Sequence, residues 1–157
     1  MAQIYFFHGL ESGPRGNKFL RIKGEYPEAK TIDFQGLNDP NDRMMRALME
    51  IHDDEEIVIV GSSMGGLVAY MLEQSGLRKV RGMVLCAPAL LRAKEILPVG
   101  CPTVVIHGTE DEILDFGETK ILSDKIGADF IEVRDNHRLE VSIDQILGGL
   151  QEILKKI

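Results

Sequence analysis

Six short apolar runs recur along the chain, and most are followed by a stretch whose apolar residues have helical spacing. Several of the runs are nearly continuous instead of alternating with polar residues. This pattern is typical of strands in a parallel sheet that is covered on both faces. It predicts strands over residues 4–7, 29–34, 57–60, 80–86, 103–106 and 130–133.

The stretch after the second run carries a clear helix start. Asp39 is a suitable N-cap, and Pro40 suits the first helical position because it lacks an N–H group. Met44, Leu48 and Ile51 then fall on one face of the predicted helix and are expected to point inward.

Four further helices follow from local signals. One starts at Asp115, which has capping-box spacing with Glu118, and its Leu122 and Ile126 would then face inward. Residues 65–74 are apolar on most sides, as in a largely buried helix, and Gly76 can end it. A capping box of Ser142 and Gln145 starts a strongly amphipathic C-terminal helix. A helix over residues 17–23 is also predicted. The alternation of strand and helix therefore continues to the end of the chain.

This order predicts one α/β domain that spans residues 1–157. With right-handed crossovers it becomes a three-layer α/β/α sandwich around an approximately six-stranded, mostly parallel sheet. Functional sites in such sheets lie beyond the carboxyl ends of the strands. We therefore expect chemistry in the segments that follow residues 7, 60, 86 and 106.

Composition excludes several partner classes. The formal net charge of −7 disfavours binding to a phosphate backbone, and no apolar stretch approaches the ~20 residues of a membrane span. The first residues carry no basic leader typical of a secretory signal. Cys86 and Cys101 lack C-x-x-C spacing and are expected to be reduced, buried thiols. These features predict a cytoplasmic protein with neither nucleic-acid nor membrane partners, and they leave its oligomeric state open.

The segment after the third run matches the pattern G-x-S-x-G. It reads Gly61-Ser62-Ser63-Met64-Gly65 and is centred on Ser63. In this motif a sharp strand-to-helix turn exposes the serine hydroxyl, and small flanking residues let backbone segments cross closely. The following helix N-terminus favours developing negative charge. The motif predicts Ser63 as a nucleophile, and the alternative is an ordinary glycine-rich turn.

A nucleophilic serine needs a general base, and His137 is the candidate. Of the four histidines, only His137 follows every candidate acid, as the chain order serine, acid, histidine requires. The alternative is an exposed loop histidine. The sequence has no clustered Cys, His and carboxylate arrangement typical of a metal site, so neither a metal nor another cofactor is expected.

The segment after the fifth apolar run carries a second motif that narrows the family to which the sequence can be compared. It reads His107-Gly108-Thr109-Glu110-Asp111, and with the serine motif it resembles the α/β-hydrolase superfamily. In that superfamily H-G-x-x-D at this place supplies the acid of a Ser-His-Asp triad. The resemblance assigns this role to Asp111. Glu110, Glu112 and Asp115 are competing carboxylates, which otherwise belong to a solvated turn and a helix cap.

The resemblance also implies an oxyanion hole, which needs two backbone N–H groups. It assigns them to Met64, which follows the predicted nucleophile, and to Leu10. Leu10 lies in the loop His8-Gly9-Leu10-Glu11-Ser12-Gly13-Pro14. This loop is similar to the first loop of small, lidless serine esterases of the YqiA/YcfP kind. His8 would be structural, and the glycines at 9 and 13 could instead serve an ordinary turn.

The resemblance covers almost the whole chain, with two departures. The two antiparallel strands that usually lead the fold are expected to be missing. Only the 15 residues 87–101 stand where larger relatives insert a lid, and residues 89–97 could form one short helix there. Leu90, Leu91 and Leu10 are candidates for an apolar acyl-binding wall, although each could equally belong to the core.

These features predict a serine hydrolase that cleaves small carboxylic esters or thioesters through an acyl-enzyme. The alternative from another class is a non-catalytic binding protein on the same scaffold, because a fold does not fix a function. A third hypothesis keeps the triad but replaces the ester with a peroxy acid or a C–C bond as the group that reacts. Four cations follow the first loop, and they either attract an acidic substrate or form a solvated helix face: Arg15, Lys18, Arg21 and Lys23.

Overall fold

The computed structural model describes residues 2–157, in which six strands alternate with five α-helices. The strands are β1 (Gln3–Phe7), β2 (Lys30–Ile32), β3 (Glu56–Ser62), β4 (Lys79–Cys86), β5 (Thr103–Gly108) and β6 (Asp129–Val133). The helices are α1 (Asn17–Glu25), α2 (Pro40–Glu50), α3 (Met64–Ser75), α4 (Phe116–Ile126) and α5 (Ile143–Lys156). Every predicted apolar run contains or overlaps one of these strands.

The strands form one sheet with the order β2-β1-β3-β4-β5-β6, and every neighbouring pair is parallel. The chain runs from β1 outward to the edge strand β2, then returns past β1 to β3 and continues in the opposite direction. The strand order therefore reverses between β1 and β3. In open α/β sheets a crevice for ligands lies beyond the carboxyl ends of the strands at such a point.

Successive side chains of the strands enter two different cores, which explains why the runs are apolar throughout. Phe6, Val60 and Val84 belong to the core beneath α1 and α5. Phe7 and Ile59, their neighbours along the chain, belong to the core beneath α2, α3 and α4. The predicted three-layer sandwich is thus confirmed, because helices cover both faces of the sheet.

Helix α3 is the most completely buried helix and lies against the centre of the sheet. Its 12 residues span about 18 Å at 1.5 Å per residue. Gly76 ends it in the left-handed conformation with φ 67°, as predicted. No helix within residues 2–157 has the length and apolar character needed to cross a membrane.

The inward face of helix α2 includes the predicted residues and, beside them, Arg43 and Ala47. The sequence pattern placed Met44, Leu48 and Ile51 on the inward face. In the structure Ile51 is buried, and Met44 and Leu48 are half-buried and pack against the same core. Arg43 and Ala47 are the fully buried residues within the helix. The Arg43 side chain reaches the loop that follows β1, where it donates to backbone carbonyls.

The segment 89–97 does not form the predicted short helix. A single 3₁₀ turn covers Leu90–Arg92, and the backbone becomes extended at Ala93. The Tyr70 hydroxyl accepts a hydrogen bond from the Leu97 N–H at 2.8 Å and lies 3.2 Å from the Leu97 carbonyl. These contacts satisfy backbone groups that a helix would otherwise pair internally.

The N-terminus of α3 passes so close to the end of β1 that residue 65 has no room for a side chain. A Cβ atom on Gly65 would lie 2.0 Å from the Phe7 carbonyl oxygen and 2.8 Å from that of His8. These are backbone atoms, so the contact cannot be relieved by rotating a side chain. The glycine is therefore a packing requirement for the turn that precedes α3.

Gly65→Ala should lower the free energy of unfolding by about 3 kcal/mol, because overpacking a tight backbone crossing is destabilising. The matched control is Gly148→Ala on the exposed face of α5, where an added Cβ meets nothing within 4 Å. This control should raise the stability by roughly 0.5–1 kcal/mol. Urea denaturation of both variants measures these changes. Equal changes in the free energy of unfolding would contradict the claim that residue 65 has no room for a side chain.

Candidate active site

Ser63 lies in a strained turn between β3 and α3. Its backbone has φ 53° and ψ −114°, a positive φ that few non-glycine residues adopt. Such a conformation costs on the order of 1–3 kcal/mol and persists only where surrounding contacts hold it. The Ser63 N–H donates to the Cys86 carbonyl at 2.9 Å, and the Ser63 carbonyl accepts from the Ala89 N–H at 3.0 Å. The segment after β4 therefore holds this turn from both sides.

Three predicted side chains meet at the carboxyl edge of the sheet. His137 Nε2 lies 3.0 Å from Ser63 Oγ, and His137 Nδ1 lies 2.8 Å from Asp111 Oδ2. Because the carboxylate can only accept when ionised, Nδ1 carries the proton and Nε2 offers its lone pair to the serine hydroxyl. The Asp111 side chain is fully buried, whereas 17% of the His137 side chain is exposed. The hydrogen-bond chain thus runs from the interior to the surface.

The Asp111 carboxylate is held ionised by its hydrogen bonds. Burial alone would raise its pKa, but donation from the Leu114 N–H, from His137 and from the Ile113 N–H outweighs that effect and lowers the pKa. Both backbone groups donate to Oδ1 at 2.8 Å, which leaves Oδ2 for the imidazole. Asp111 can therefore fix the ring orientation and stabilise a positive charge on it.

The competing carboxylates are engaged elsewhere. Glu110 is exposed and lies 4.0 Å from the Arg134 guanidinium. Asp115 caps α4, where its carboxylate accepts from the Glu118 N–H at 2.9 Å. Glu112 is also exposed. Of the four acids considered, only Asp111 is hydrogen-bonded to His137.

His107 is a second buried histidine beside Asp111, and the sequence pattern did not indicate its role. Its Nε2 lies 2.9 Å from the Leu114 carbonyl and 3.2 Å from Asp111 Oδ2. Both neighbours are acceptors, so Nε2 carries the proton. Burial lowers the pKa of His107, which keeps the ring neutral. The ring therefore ties the start of the Asp111 loop to its end without adding a charge.

The loop that carries His137 is fixed by Asp135, another residue that local patterns did not reveal. Its carboxylate accepts from the Asn136 N–H at 2.7 Å, the Val141 N–H at 3.1 Å and the Ser142 hydroxyl at 2.8 Å. The predicted capping box at Ser142 is wrong, since its side chain makes no cap hydrogen bond. The hydroxyl closes the histidine loop instead.

The two predicted oxyanion-hole donors are available. Within residues 2–157 neither the Leu10 N–H nor the Met64 N–H has a hydrogen-bond partner. Met64 is the first residue of α3, directly after Ser63. The loop that contains Leu10 passes beside the serine, because a Cβ on Gly9 would lie 3.3 Å from the Ser63 Cβ.

A cleft of about 400 Å³ opens beside Ser63 and His137. The loop after β1 forms one wall, and the segment around His137 forms the other. Apolar side chains supply much of the lining: Phe6, Leu10, Ile113 and Ile143. The cleft can therefore accept a small apolar group next to the serine hydroxyl.

Of the three predicted acyl-binding leucines, the structure brings only Leu10 to this cleft. Leu90 is only 1% exposed and packs in the core beneath α2, α3 and α4. Leu91 is 42% exposed, but neither residue lines the cleft beside Ser63. The 3₁₀ turn explains the difference, because it directs Leu90 inward instead of along the surface of a helix.

Of the four cations after the first loop, Lys18 alone lines the cleft. Its ammonium group donates to the Arg138 carbonyl at 2.6 Å. Arg21 pairs with Asp144 at 2.8 Å on the surface. The other two cations lie over the Phe19 ring and against the Ala29 carbonyl. The solvated-face interpretation therefore describes Arg21, whereas Lys18 contributes to the cleft.

The lowered pKa of Asp111 links stability to pH. The native carboxyl binds a proton less readily than an unfolded Asp, whose pKa is about 3.9. The resulting stabilisation is present above that value and is lost as the pH falls through the lower native value. The unfolding free energy of the wild type should therefore decline below about pH 4 more steeply than that of Asp111→Asn. Glu112→Gln, at the exposed neighbouring residue, should show the same pH dependence of unfolding free energy as the wild type. An identical pH dependence for all three proteins would contradict a lowered pKa at Asp111.

Comparison with known proteins gives the family context. Residues 29–100 match the family model Hydrolase_4, described as serine aminopeptidase, S33. No curated protein sequence matches the chain significantly. A candidate hydrolase of the α/β superfamily from Xanthomonas campestris pv. campestris superposes with a TM-score of 0.82 at 20% identity and covers 100% of both chains.

Two further solved structures show the same architecture. Mouse alpha/beta hydrolase domain-containing protein 10 has a TM-score of 0.81 at 17% identity, covering 98% of this chain and 90% of that one. Est1E from Butyrivibrio proteoclasticus, with ferulic acid bound, has a TM-score of 0.77 at 12% identity, covering 99% and 90%. At these identities the likeness confirms the predicted fold.

Proposed function

We propose that this chain, which has the α/β-hydrolase fold, is a serine hydrolase that cleaves small carboxylic esters or thioesters. The continuous hydrogen-bond chain from Asp111 through His137 to Ser63 carries the proposal. The match of residues 29–100 to the Hydrolase_4 family model, described as serine aminopeptidase, S33, supports it. So does the positive φ of Ser63, because a strained backbone at the serine is typical of the strand-to-helix turn that exposes a nucleophilic hydroxyl.

In the first half of the reaction, Ser63 Oγ attacks the carbonyl carbon of the ester. His137 Nε2 takes the hydroxyl proton, and Asp111 stabilises the resulting imidazolium. The tetrahedral intermediate then collapses. The bond to the leaving oxygen or sulfur breaks, and His137 returns the proton to that leaving group. An alcohol or thiol departs, and the acyl group remains on Ser63 Oγ.

In the second half, water replaces the leaving group. His137 takes a proton from the water as its oxygen attacks the acyl carbon. Collapse of this second intermediate breaks the bond to Ser63 Oγ, which regains the proton from His137. The products are the free acid and the original enzyme, so atoms and protons balance over the cycle.

Both intermediates carry a negative oxygen, which the Leu10 and Met64 N–H groups would stabilise. Preorganised donors are effective here because they lie ready before the charge develops. Losing one such donor typically costs about 3–4 kcal/mol of transition-state stabilisation. The positive end of the α3 dipole lies behind Met64 and acts in the same direction.

The cleft favours small substrates. Its volume of about 400 Å³ and its apolar walls suit a short acyl or aryl group. Long lipid chains would extend past its open rim. Est1E, which has the same fold, holds ferulic acid, and this is consistent with a small carboxylic ester as the substrate class.

A fluorophosphonate probe tests the nucleophile. The wild type should be labelled at Ser63, and Ser63→Ala should lose at least about 99% of the labelling because the attacking oxygen is gone. Ser75→Ala, at the other end of α3, is the matched control and should label like the wild type. Equal labelling of Ser63→Ala and the control would reject Ser63 as the nucleophile.

Asp111→Asn tests the acid with p-nitrophenyl acetate. The amide should stabilise the wrong tautomer of His137, so kcat should fall on the order of 10³–10⁴-fold. The exposed variant Glu112→Gln should keep kcat within about twofold of the wild type. A kcat for Asp111→Asn close to that of Glu112→Gln would show that Asp111 is not the acid that orients His137.

A panel of aryl esters and acyl thioesters tests the substrate class. The value of kcat/KM should be highest for short acyl chains of about two to six carbons, because longer chains leave the apolar cleft. A steady rise in kcat/KM toward long chains would contradict the small-substrate assignment. No turnover across the panel, together with no probe labelling, would favour the binding-protein alternative.

A further inference from the structure

Arg43 is the one lysine or arginine of residues 2–157 whose side chain is buried, with only 1% exposed. Its guanidinium forms no ion pair with any carboxylate of the described residues. It donates instead to three main-chain carbonyls. Nε donates to Leu37 at 2.7 Å, Nη1 to His8 at 2.5 Å and Nη2 to Gly9 at 3.1 Å.

A buried cation without a counter-ion is costly, so its position calls for a reason. Burial lowers the pKa of Arg43 to about 10, which still leaves it charged at neutral pH. An apolar side chain would fill the same space in the core at less cost. Two of its three acceptors belong to the loop after β1, which passes beside Ser63. The guanidinium charge therefore acts mainly on the backbone of this loop.

The Gly9 carbonyl receives a second hydrogen bond from His8. His8 Nε2 accepts from the Phe34 N–H at 2.8 Å, so the proton of the neutral ring lies on Nδ1. Nδ1 then donates to the Gly9 carbonyl at 2.7 Å. Burial lowers the pKa of His8 and keeps it in this neutral form. One carbonyl oxygen is thus held by both an imidazole and a guanidinium.

This arrangement determines where the Leu10 N–H points. In a trans peptide the carbonyl and the following N–H point in opposite directions, and the described residues contain no cis peptide bond. Fixing the Gly9 oxygen toward Arg43 turns the Leu10 N–H away from α2. On that other side lies the cleft, which both Leu10 and Ser63 line. Donors on the carbonyl also polarise the peptide and make its N–H a stronger donor.

We propose that Arg43 is a positioning residue for the oxyanion hole, which holds and polarises the Gly9–Leu10 peptide. The inference rests on the proposed function of Ser63. Its effect should be largest when negative charge develops on the substrate oxygen, and smaller when the neutral substrate binds. Removing Arg43 should therefore lower kcat and leave KM nearly unchanged.

The kinetic test compares Arg43→Met, Arg43→Lys and Arg46→Met with p-nitrophenyl acetate. Arg46 is the matched control, because it lies on the same helix, is only half-buried and donates to one carbonyl, that of Asp33, at 2.9 Å. Arg43→Met should lower kcat about 10–100-fold, and KM should stay within about twofold. Arg43→Lys keeps the charge but not the fork of donors, so it should recover part of kcat. Arg46→Met should match the wild type.

A small alkyl boronic acid supplies a readout that a merely structural role would not move. Its adduct on Ser63 is tetrahedral and carries an oxygen in the place of the oxyanion. The inhibition constant should rise for the Arg43 variants by the same factor as kcat falls. The pH profile of kcat/KM should keep its shape, because the imidazole is unaffected.

The possible failures are distinguishable. A folded Arg43→Lys or Arg43→Met variant with unchanged kcat and unchanged boronate inhibition would overturn the inference, and so would a rise in KM alone. Loss of folding in both variants, seen by circular dichroism, would assign Arg43 to the core and also overturn it. A wild type that fluorophosphonate does not label at Ser63 would overturn the proposed function and this inference together.

Discussion

The tight crossing of three backbone segments around Ser63 is the constraint on which the rest of the site depends. Helix α3 begins so close to the end of β1 that residue 65 cannot carry a Cβ atom. Hydrogen bonds to Cys86 and from Ala89 hold the serine itself at a positive φ. Because this turn is fixed by backbone contacts, the serine hydroxyl, the Met64 N–H and the loop after β1 keep one relative position. The strain is thus stabilised by the central strands, which are the most buried part of the fold.

A negative and a positive group lie on opposite sides of this turn. The Asp111 carboxylate lies behind His137 and would stabilise an imidazolium, whereas Arg43 lies behind the Gly9–Leu10 peptide and would stabilise an oxyanion. The two buried histidines, His8 and His107, stay neutral and position loops through their ring nitrogens. A reaction that separates charge between an imidazole and a carbonyl oxygen therefore meets a complementary field on each side. Preorganisation of this kind avoids the cost of reorienting solvent at the moment of reaction.

Much of this could be predicted because the signals are local or follow from topology. The strands are apolar on both faces, so short runs suffice to locate them. The serine motif has fixed spacing, and the carboxyl ends of parallel strands bring Asp111 and His137 to the same edge. By contrast, Arg43 was missed because the apolar periodicity of α2 marks hydrophobic residues and does not indicate that an arginine beside them is buried. Its burial depends on carbonyl acceptors in the loop after β1, which lies far away in the sequence. The Asp135–Ser142 contact was missed for a similar reason, since a serine at a helix start has two possible partners and only tertiary structure decides between them.

The central claim is that Ser63 forms a covalent acyl intermediate with the help of His137. Rapid mixing of the enzyme with p-nitrophenyl acetate, followed by acid quench and peptide mass spectrometry, tests this most directly. The account predicts a burst of about one equivalent of p-nitrophenol and an acetyl group on the peptide at Ser63. Turnover without any burst or adduct, or an acetyl group on Ser62 or Ser12 instead, would contradict it.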